Sequence, residues 1–373
     1  MGGHRDPRIA SVIVLVLVLP LLAVLAACGS DEGSAPSPSA VGDAVVGDLT
    51  LFAYEDGFVP GYIKGFKEQY PDVNLKANAY DSGDAAIAKL RAGFEADVIN
   101  LCVEENAEAA VNLGLVQPLD ISRIESWDRI FPGFQKLPGV TMPDGEHNMV
   151  PVDSGPTGLL YDSTKVSPAP TSFKDLFDPK WAGRVAMIDY PVTAIQIGAL
   201  ALGYTDPLHL TDEQLADVKD LFFEAKKNGQ FRTFYQTDSD LVTLFKGHEV
   251  WLTPGGRGSA LDIQREGEPV EFQMAQEGQI LWVCGYGISS TCKNIDAAYA
   301  LLNYYLSPEA EAYEASHWNY MVTNMDTLDV VDPQVREDAG LDFAYDLGNA
   351  IPAAPPAEGY DKWIRLWQEV KRY

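Results

Sequence analysis

Short apolar runs alternate with amphipathic helical patterns in the first part of the chain body. The apolar runs predict strands, and the patterns with a period near that of the α-helix predict helices. The predicted strands cover residues 49–53, 73–80 and 96–102, and the predicted helices cover residues 60–69, 85–92 and 105–113. This alternation predicts βαβ units and a largely parallel sheet with helices on both faces. Because such sheets bind ligands at the carboxyl ends of their strands, the segments after Ala53, Tyr80 and Leu101 form a candidate site.

The pattern changes at the turn signal Pro-Asp-Gly that ends at Gly145. Two strand-like runs follow at residues 149–152 and 157–161, and a second α/β region covers residues 173–282. Its helix over residues 212–227 begins with a Thr and a Gln at the spacing of a capping box. Two later helices have apolar faces that predict core positions: Ile295, Ala298, Tyr299, Leu302, Tyr305 and Leu306 in one, and Trp363, Leu366, Trp367 and Val370 in the other. A short strand at residues 286–289 precedes them.

Residues 1–27 have the features of an export signal. Two arginines precede an apolar run over residues 9–27, which ends in Leu-Ala-Ala directly before Cys28. A retained membrane helix, which needs about 18–20 apolar residues, is the alternative, but Pro20 and the small residues before Cys28 disfavour it. The ending resembles a bacterial lipobox, which implies that Cys28 becomes the lipidated first residue. Residues 28–48, rich in Gly, Ser, Pro and Ala, are expected to form a flexible tether.

The whole chain is acidic. Its 373 residues include 54 Asp and Glu against 27 Lys and Arg, a formal net charge of −27. Nucleic acid is excluded as a partner, because a phosphate backbone requires a basic surface. Hydrophobic residues make up 46% of the chain, which indicates a folded protein rather than a disordered one. Solubility is the simplest explanation of the charge, and a cationic ligand is the more specific one.

The sequence shows no pattern typical of an enzyme. Its five histidines have no metal-ligand spacing to one another or to a cysteine pair, so no metal site is predicted. The glycine-rich string at residues 255–259 lacks the Gly-Lys-Ser/Thr ending of a phosphate-binding loop and predicts a backbone turn. No Gly-x-Ser-x-Gly elbow is present. A secreted hydrolase with a Ser/His/Asp set assembled only in space is the alternative from another class. No catalytic residue and no cofactor is predicted.

Three cysteines remain once Cys28 is assigned to lipid. An exported protein can keep a disulfide, and one of Cys102, Cys284 and Cys292 must then stay unpaired. Cys102 ends a predicted strand, and Cys284 begins the strand that leads to residue 289. If these strands are antiparallel neighbours, Cys102 and Cys284 adjoin, which predicts a bridge between them. Three free buried thiols are the alternative.

Five stretches of the chain carry a family resemblance: residues 51–66, 80–90, 172–188, 245–261 and 277–306. Two strings within them are specific for the group, namely Trp-x-Gly-Arg from Trp181 and Glu-Gly-x-x-x-Trp from Glu277 to Trp282. Over residues 49–373 the chain resembles the spermidine/putrescine-binding proteins of bacterial ABC importers, which belong to the two-lobed extracellular solute-binding proteins.

This resemblance implies an α/β fold of the type II periplasmic-binding-protein kind, with two lobes joined by a two-strand hinge. Each lobe is a mostly parallel sheet flanked by helices. The implied division is lobe 1 at residues 49–155 and 285–330, lobe 2 at residues 156–284, and a C-terminal helical segment at residues 331–373. The lobes close on a solute, here a polyamine such as putrescine or spermidine, and deliver it to an ABC permease. The receptor is expected to be an exported, lipid-anchored monomer at the outer face of the cytoplasmic membrane or in the periplasm.

In the family, aromatic rings enclose the methylene chain of the ligand and carboxylates hold its ammonium ends. Cation–π contacts give about 0.5–2 kcal/mol each, and a desolvated charge needs a charged partner. The resemblance places Tyr54 and Trp282 as pocket aromatics and Asp56 as a nearby acid. Burial in the core is the alternative for both rings, and a solvated turn is the alternative for Asp56.

Two acidic positions of the family pattern are changed. Cys284 stands where the polyamine binders carry an Asp, and Tyr190 and Thr193 stand where they carry an acidic pair, although Asp189 is adjacent. Three acids lie at predicted strand ends and are candidates to replace the missing ones: Glu104, Glu105 and Asp153.

One aromatic position is also changed. Gly256, beside Arg257, stands where the family has a loop Trp. A different small solute, with an anionic group that Arg257 pairs with in bidentate fashion, is therefore the runner-up ligand.

Overall fold

The computed structural model describes residues 44–80, 82–341, 350–354, 356 and 359–373. The predicted export signal, the lipidation site Cys28 and the tether up to residue 43 lie outside the described residues. Among the helices of the described ranges, none is both long and apolar enough to cross a membrane. The folded body comprises residues 45–373.

One mixed sheet of eleven strands runs through the described part of the body. Its strands are β1 (Gly47–Ala53), β2 (Val73–Ala79), β3 (Val98–Cys102), β4 (Val150–Asp162), β5 (Val185–Ile188), β6 (Phe231–Tyr235), β7 (Leu252–Gly256), β8 (Val270–Gln273), β9 (Gln279–Ile288), β10 (Met321–Val322) and β11 (Ala350–Pro352). The main order is β2-β1-β3-β9-β4-β7-β5-β6, with β8 and β10 paired to β4 and β11 paired to β9. Strand β1 is parallel to β2 and β3, and β5 is parallel to β6 and β7. The antiparallel strands β4 and β9 join these two parallel sets.

The α-helices of the described residues follow the predicted alternation with strands. They are α1 (Lys64–Gln69), α2 (Gly83–Arg91), α3 (Glu108–Asn112), α4 (Pro132–Gln135), α5 (Pro191–Ala201), α6 (Asp212–Lys227), α7 (Asp238–Lys246), α8 (Arg257–Arg265), α9 (Ile295–Tyr305), α10 (Pro308–Trp318), α11 (Pro333–Asp338) and α12 (Tyr360–Arg372). Shorter 3-10 helices are Glu55–Phe58, Ile121–Arg123, Trp127–Arg129, Phe173–Phe177, Pro179–Trp181 and Met325–Asp329, and Val103–Ala107 is a π-helical turn. The predicted βαβ organisation is confirmed, with element ends shifted by a few residues.

Strand β4 is longer than the sequence pattern predicts. The runs at residues 149–152 and 157–161 belong to this one strand, whose thirteen residues are all buried. The predicted break was wrong because Gly155 and Pro156 stay extended inside the sheet, opposite β9. The strand predicted at residues 286–289 is likewise only the end of the ten-residue strand β9.

Apolar side chains form two main clusters, one for each parallel set of strands. The first cluster includes Phe52, Phe66 and Tyr305, which are almost fully buried. The second includes Phe222 and Trp367. A smaller third cluster surrounds β7 and α8.

The predicted apolar faces of α9 and α12 are buried with one exception. The buried residues are Ala298, Tyr299, Leu302, Tyr305 and Leu306, together with Trp363, Leu366, Trp367 and Val370. Ile295 is 37% exposed, because it is the first residue of α9 and has no preceding helical turn to cover it. The capping box of α6 is confirmed: Thr211 Oγ1 accepts from the Gln214 N–H at 3.2 Å, and Gln214 Oε1 accepts from the Thr211 N–H at 2.9 Å.

The glycine-rich string at residues 255–259 is a strand-to-helix junction rather than the predicted turn. Its first two residues complete β7, and Arg257 begins α8. Gly255 is packed against β4, since a Cβ at this position would lie 2.6 Å from Leu160 Cδ1. Gly255 therefore allows the two strands to pack closely. A sequence pattern does not distinguish a glycine in this role from a glycine in a turn.

Candidate functional site

A cavity of about 930 Å³ lies where the carboxyl ends of several strands converge. Residues after β1 and β3 line it, as do residues after β5, β6 and β7, and β4 and β9 contribute side chains from their middles. The segment between α10 and β10 completes the lining. The segments that follow β1, β2 and β3 were predicted as a candidate site, and all three contribute to this cavity.

The cavity lining is strongly acidic. Among the described residues, nine acidic residues line it: Glu55, Asp56, Asp84, Glu105, Asp153, Asp189, Asp238, Asp262 and Glu314. Arg257 is the one basic residue in the described lining, and no histidine is part of it. Such a surplus of carboxyl groups favours a cation in the cavity.

Tyr54 and Trp282 both line the cavity, as the resemblance implied. The Tyr54 ring lies 4.5 Å from the Tyr80 ring, and its hydroxyl lies 3.7 Å from Cys102 Sγ. Trp282 packs edge-on against Tyr320 with 4.9 Å between ring centroids. Both residues are only partly buried, so part of each ring remains available to a ligand. Their role as ligand contacts stays a prediction.

Gly155 on β4 explains how the Trp282 indole reaches its position. A Cβ at residue 155 would lie 2.5 Å from Trp282 Cζ2. Because real Cβ contacts are never this short, only glycine lets the indole rest directly on the strand.

Asp56 and Asp153 lie on different elements and face the same cavity. Asp56 Oδ1 accepts from the Gly57 N–H at 2.9 Å, and Asp56 Oδ2 accepts from the Tyr320 hydroxyl at 3.3 Å. Asp153 is directly opposite Cys284 in the sheet and is 8% exposed. Burial, together with the nearby Asp56, raises the pKa of Asp153 to about 7. Burial also raises the pKa of Asp56 above its ordinary value.

The side chains of Glu105 and Tyr190 meet in the cavity lining. The Tyr190 hydroxyl donates a hydrogen bond to Glu105 Oε2. Burial raises the pKa of Glu105 to about 7, although this hydrogen bond acts in the opposite direction. Tyr190, which replaces an acid of the family pattern, therefore holds another acid in the lining.

Glu104 is not among the described residues that line the cavity, in contrast to its predicted role. Its Oε2 accepts from the Val283 N–H at 2.9 Å. This oxygen thus supports the backbone of β9, whereas Oε1 is buried and has no hydrogen-bond partner among the described residues. The ligand role of Glu104 stays a prediction, and of the two adjacent glutamates only Glu105 lies in the described cavity lining.

Tyr190 and Thr193, at the positions of the family's acidic pair, bring no carboxylate of their own to the described cavity lining. Thr193 lines the cavity as a buried hydroxyl residue. Asp189, next to Tyr190, accepts from Trp367 Nε1 at 2.8 Å and pairs with Lys371 Nζ at 2.8 Å. Asp189 therefore ties α12 to β5, and its charge already has a partner.

Arg257 begins α8, and its guanidinium is held by protein groups. Its Cζ lies 4.6 Å from the centroid of the Phe272 ring, and Nη1 donates to the Asp338 carbonyl at 3.3 Å. Burial lowers the pKa of Arg257 from its ordinary value. Its Nε has no hydrogen-bond partner among the described residues, so that edge of the guanidinium keeps a donor for the anionic group of the runner-up ligand.

The predicted neighbourhood of Cys102 and Cys284 is present. Strands β3 and β9 are antiparallel with these two residues directly opposite each other, and their Sγ atoms are 3.0 Å apart. All three described cysteines are free thiols, and a disulfide needs about 2.05 Å between sulfurs. The bridge is therefore not formed in the structure and stays a prediction.

We expect an oxidant to close this bridge in the exported chain. Intact mass should then rise by two hydrogen atoms on reduction in the native chain and in Cys292→Ser. Cys102→Ser should show no such rise, because it removes one partner. An unchanged mass of the oxidant-treated native chain on reduction would contradict the expected bridge.

Several lining residues were not predicted from the sequence. They are Tyr235, Asp238, Glu314, Trp318 and Tyr320. Glu314 lies on α10, and its burial was not indicated by the sequence because a glutamate on a helix is ordinarily solvated. Tyr320 follows Asn319, which has a left-handed backbone with φ of 54°. That turn directs the chain from α10 into β10, and no sequence pattern indicated it.

Comparisons with known proteins match the chain over most of its length. The sequence profile described as bacterial extracellular solute-binding protein matches residues 61–342, about three quarters of the chain. The spermidine/putrescine-binding periplasmic protein of Escherichia coli is 24% identical over 296 residues, which cover 79% of this chain and 82% of the relative.

Solved structures share the fold. The spermidine/putrescine ABC transporter substrate-binding protein PotD of Streptococcus pneumoniae superimposes with a TM-score of 0.74 at 21% identity, covering 87% of this chain and 99% of that chain. A binding protein of Agrobacterium tumefaciens in complex with agropinic acid has a TM-score of 0.65 at 18% identity, with coverages of 87% and 96%. The predicted periplasmic-binding-protein-like α/β fold is thus confirmed. These two structures were solved with different small molecules, so the shared fold does not identify the ligand.

Proposed function

Because the chain belongs to the family of bacterial extracellular solute-binding proteins, we propose that it is the receptor of an ABC importer for a small organic cation of the polyamine type. Its relatives and structural neighbours are transport receptors, not enzymes, which confirms the expectation of a non-enzymatic protein. The relatives are periplasmic proteins, so the chain is an exported protein.

The acidic lining of the cavity is the observation that supports a cationic ligand most directly. The described lining includes nine acidic residues and one arginine, Arg257. Contacts with Phe272 and Asp338 hold this arginine. Two of these acids, Asp153 and Glu314, are buried, and a buried carboxylate needs a positive partner. A diamine or triamine supplies separate positive charges joined by methylene groups, which the rings of Tyr54 and Trp282 can contact.

We assign the two apolar clusters to two lobes that close on the solute. Residues 49–155 and 285–330 form the first lobe, residues 156–284 form the second, and the segment from residue 331 packs on them. Two hydrogen bonds between these parts support closure: Tyr190 to Glu105, and Arg265 Nη1 to the His317 carbonyl at 3.0 Å. Strands β4 and β9 would serve as the hinge of this motion.

The anchoring of the receptor rests on the sequence alone. The Leu-Ala-Ala-Cys ending implies that Cys28 carries lipid, which would hold the body on a tether at the outer face of the cytoplasmic membrane. We expect the body to act there as a monomer. There it would deliver its solute to a permease.

A thermal-shift screen tests the proposed ligand class. The mature chain, residues 28–373 with Cys28→Ser to prevent lipidation, is heated with amines, amino acids, sugars and anionic solutes. We expect putrescine or spermidine at about 100 times its dissociation constant to stabilise the body by about 2.7 kcal/mol. Stabilisation by an anionic solute, with no effect of any amine, would overturn the proposal in favour of the runner-up ligand.

A further inference from the structure

Two buried carboxyl groups of the cavity have oxygen atoms without a partner. Asp153 on β4 is 8% exposed and Glu314 on α10 is 3% exposed, and both line the cavity. Within the described part of the chain, neither Asp153 Oδ1 nor Glu314 Oε2 has a hydrogen-bond partner. An unsatisfied buried polar atom destabilises a folded protein. Asp153 and Glu314 lie close enough to each other to share a proton, and the Tyr62 hydroxyl lies within reach of Glu314. The described lining holds no free basic side chain that would neutralise the two carboxyl groups.

Glu311 shows how a structural carboxylate is held on the same helix. It is fully buried, and its two oxygens accept from the backbone N–H groups of Thr323 and Asn324 and from the hydroxyls of Thr323 and Thr327, at 2.8–3.2 Å. Glu311 is not part of the described cavity lining. Glu314, one turn later, differs in both respects, since it has an unpaired oxygen and reaches the cavity.

The surroundings of Asp153 and Glu314 add negative charge and no counter-charge. Asp56 interacts electrostatically with both groups. Burial and the neighbouring Asp153 raise the pKa of Glu314 well above its ordinary value. The one basic side chain of the described lining, Arg257, is bound to Phe272 and Asp338. A cation that carries N–H groups would supply both the donors and the positive charge that these two carboxyl groups lack.

We propose that Asp153 and Glu314 form a deep subsite that holds one primary ammonium group of the ligand. A primary ammonium has three N–H donors and no acceptor, and the two unpaired oxygens accept two of these donors. A quaternary ammonium has the charge but no N–H group, so it would leave both oxygens unsatisfied. This inference rests on the proposed function, because it specifies how a cationic solute is held.

Calorimetric titration of two isosteric variants with putrescine tests the subsite. Glu314→Gln and Asp153→Asn each remove a charge and keep the side-chain size. Each should weaken putrescine binding at least tenfold, while the melting temperature of the empty Glu314→Gln protein stays equal or rises. Glu311→Gln is the matched control on the same helix, and it should lower the melting temperature without changing the affinity. Putrescine with both nitrogens fully methylated should bind the native chain at least tenfold more weakly than putrescine.

The outcomes separate this inference from the proposed function. Native affinity in both Glu314→Gln and Asp153→Asn would refute the deep subsite, while the cation receptor would stand. If one variant fails to fold, the other variant and the methylated ligand still test the deep subsite. Equal affinity for putrescine and its fully methylated form would also refute the subsite. Failure of every amine to bind the native chain would refute the receptor proposal itself.

Discussion

Replacement of Trp282 by Ala is expected to weaken polyamine binding by about 30- to 150-fold. The indole lies on β4 at Gly155 and packs against Tyr320, with part of its ring left open to the cavity. A cation–π contact contributes about 0.5–2 kcal/mol, and burial of ligand methylene groups contributes about 0.8 kcal/mol for each group. A cation–π contact near the middle of its range and one or two buried methylene groups sum to about 2–3 kcal/mol. This sum corresponds to the expected loss of affinity, since 1.4 kcal/mol is about tenfold.

Isothermal titration of Trp282→Ala measures this loss, with Trp181→Ala as the control. Trp181 is also partly buried and lies beside a lysine, Lys180, but it is not part of the described cavity lining. The control should bind polyamine with native affinity. A Trp282→Ala variant that binds as tightly as the native chain would show that the indole belongs to the core and not to the ligand contacts.

Polyamine affinity is expected to fall about 100-fold between pH 8 and pH 6. In the empty cavity, burial raises the pKa of both Asp153 and Glu105 to about 7. A bound cation favours their ionised forms, so the ligand must displace a proton from each group below pH 7. Each displaced proton costs about tenfold in affinity over this range, while an amine with a pKa near 10 stays charged. No histidine lines the described cavity, so carboxyl groups carry this dependence.

The stability of the empty protein should show the opposite trend. A carboxyl group with a raised folded-state pKa stabilises the protein below its unfolded pKa of about 4, and this stabilisation is lost as the pH rises through about 7. Glu311, whose pKa burial raises to about 8, adds to this trend without contacting the cavity. Titrations at several pH values measure the affinity, and melting curves measure the stability. Glu105→Gln should make the fall in affinity between pH 8 and pH 6 about tenfold smaller, because it removes one of the groups that must lose a proton. Affinity that is constant from pH 8 to pH 6 would contradict the assignment of these acids.

Local alternation in the sequence was sufficient to predict the parallel parts of the sheet. The runs that became β1, β2 and β3 are short and apolar and are separated by helices, so their type and their parallel direction followed from the pattern, but their order in the sheet did not. The opposition of Cys102 and Cys284 followed from one added assumption, that their strands are antiparallel neighbours.

The full lengths of the long strands β4 and β9 could not be predicted from local alternation. Glycine and proline inside β4 have the composition of a turn, and only the neighbouring strands hold them extended. The same limit applies at Gly255, where tertiary packing against Leu160 decides the backbone.

Part of the candidate site was predicted from the sequence, but its buried acid Glu314 was not. Tyr54, Asp56 and Trp282 come from the resemblance, and Asp153 comes from its place at a predicted strand end. Glu314 could not be identified, because a glutamate on an amphipathic helix is ordinarily solvated. Its burial depends on how α10 packs against β4 and β10, which the sequence pattern does not contain.

Titration of the mature Cys28→Ser chain at pH 8 with three four-carbon solutes tests the central claim most directly. Putrescine, 1,4-butanediol and succinate have the same number of carbon atoms and differ in charge. With spermidine as a second amine, we predict saturable binding of an amine at one site for each chain, and no binding of the diol or of succinate. Saturable binding of succinate, with no heat from either amine, would contradict the account.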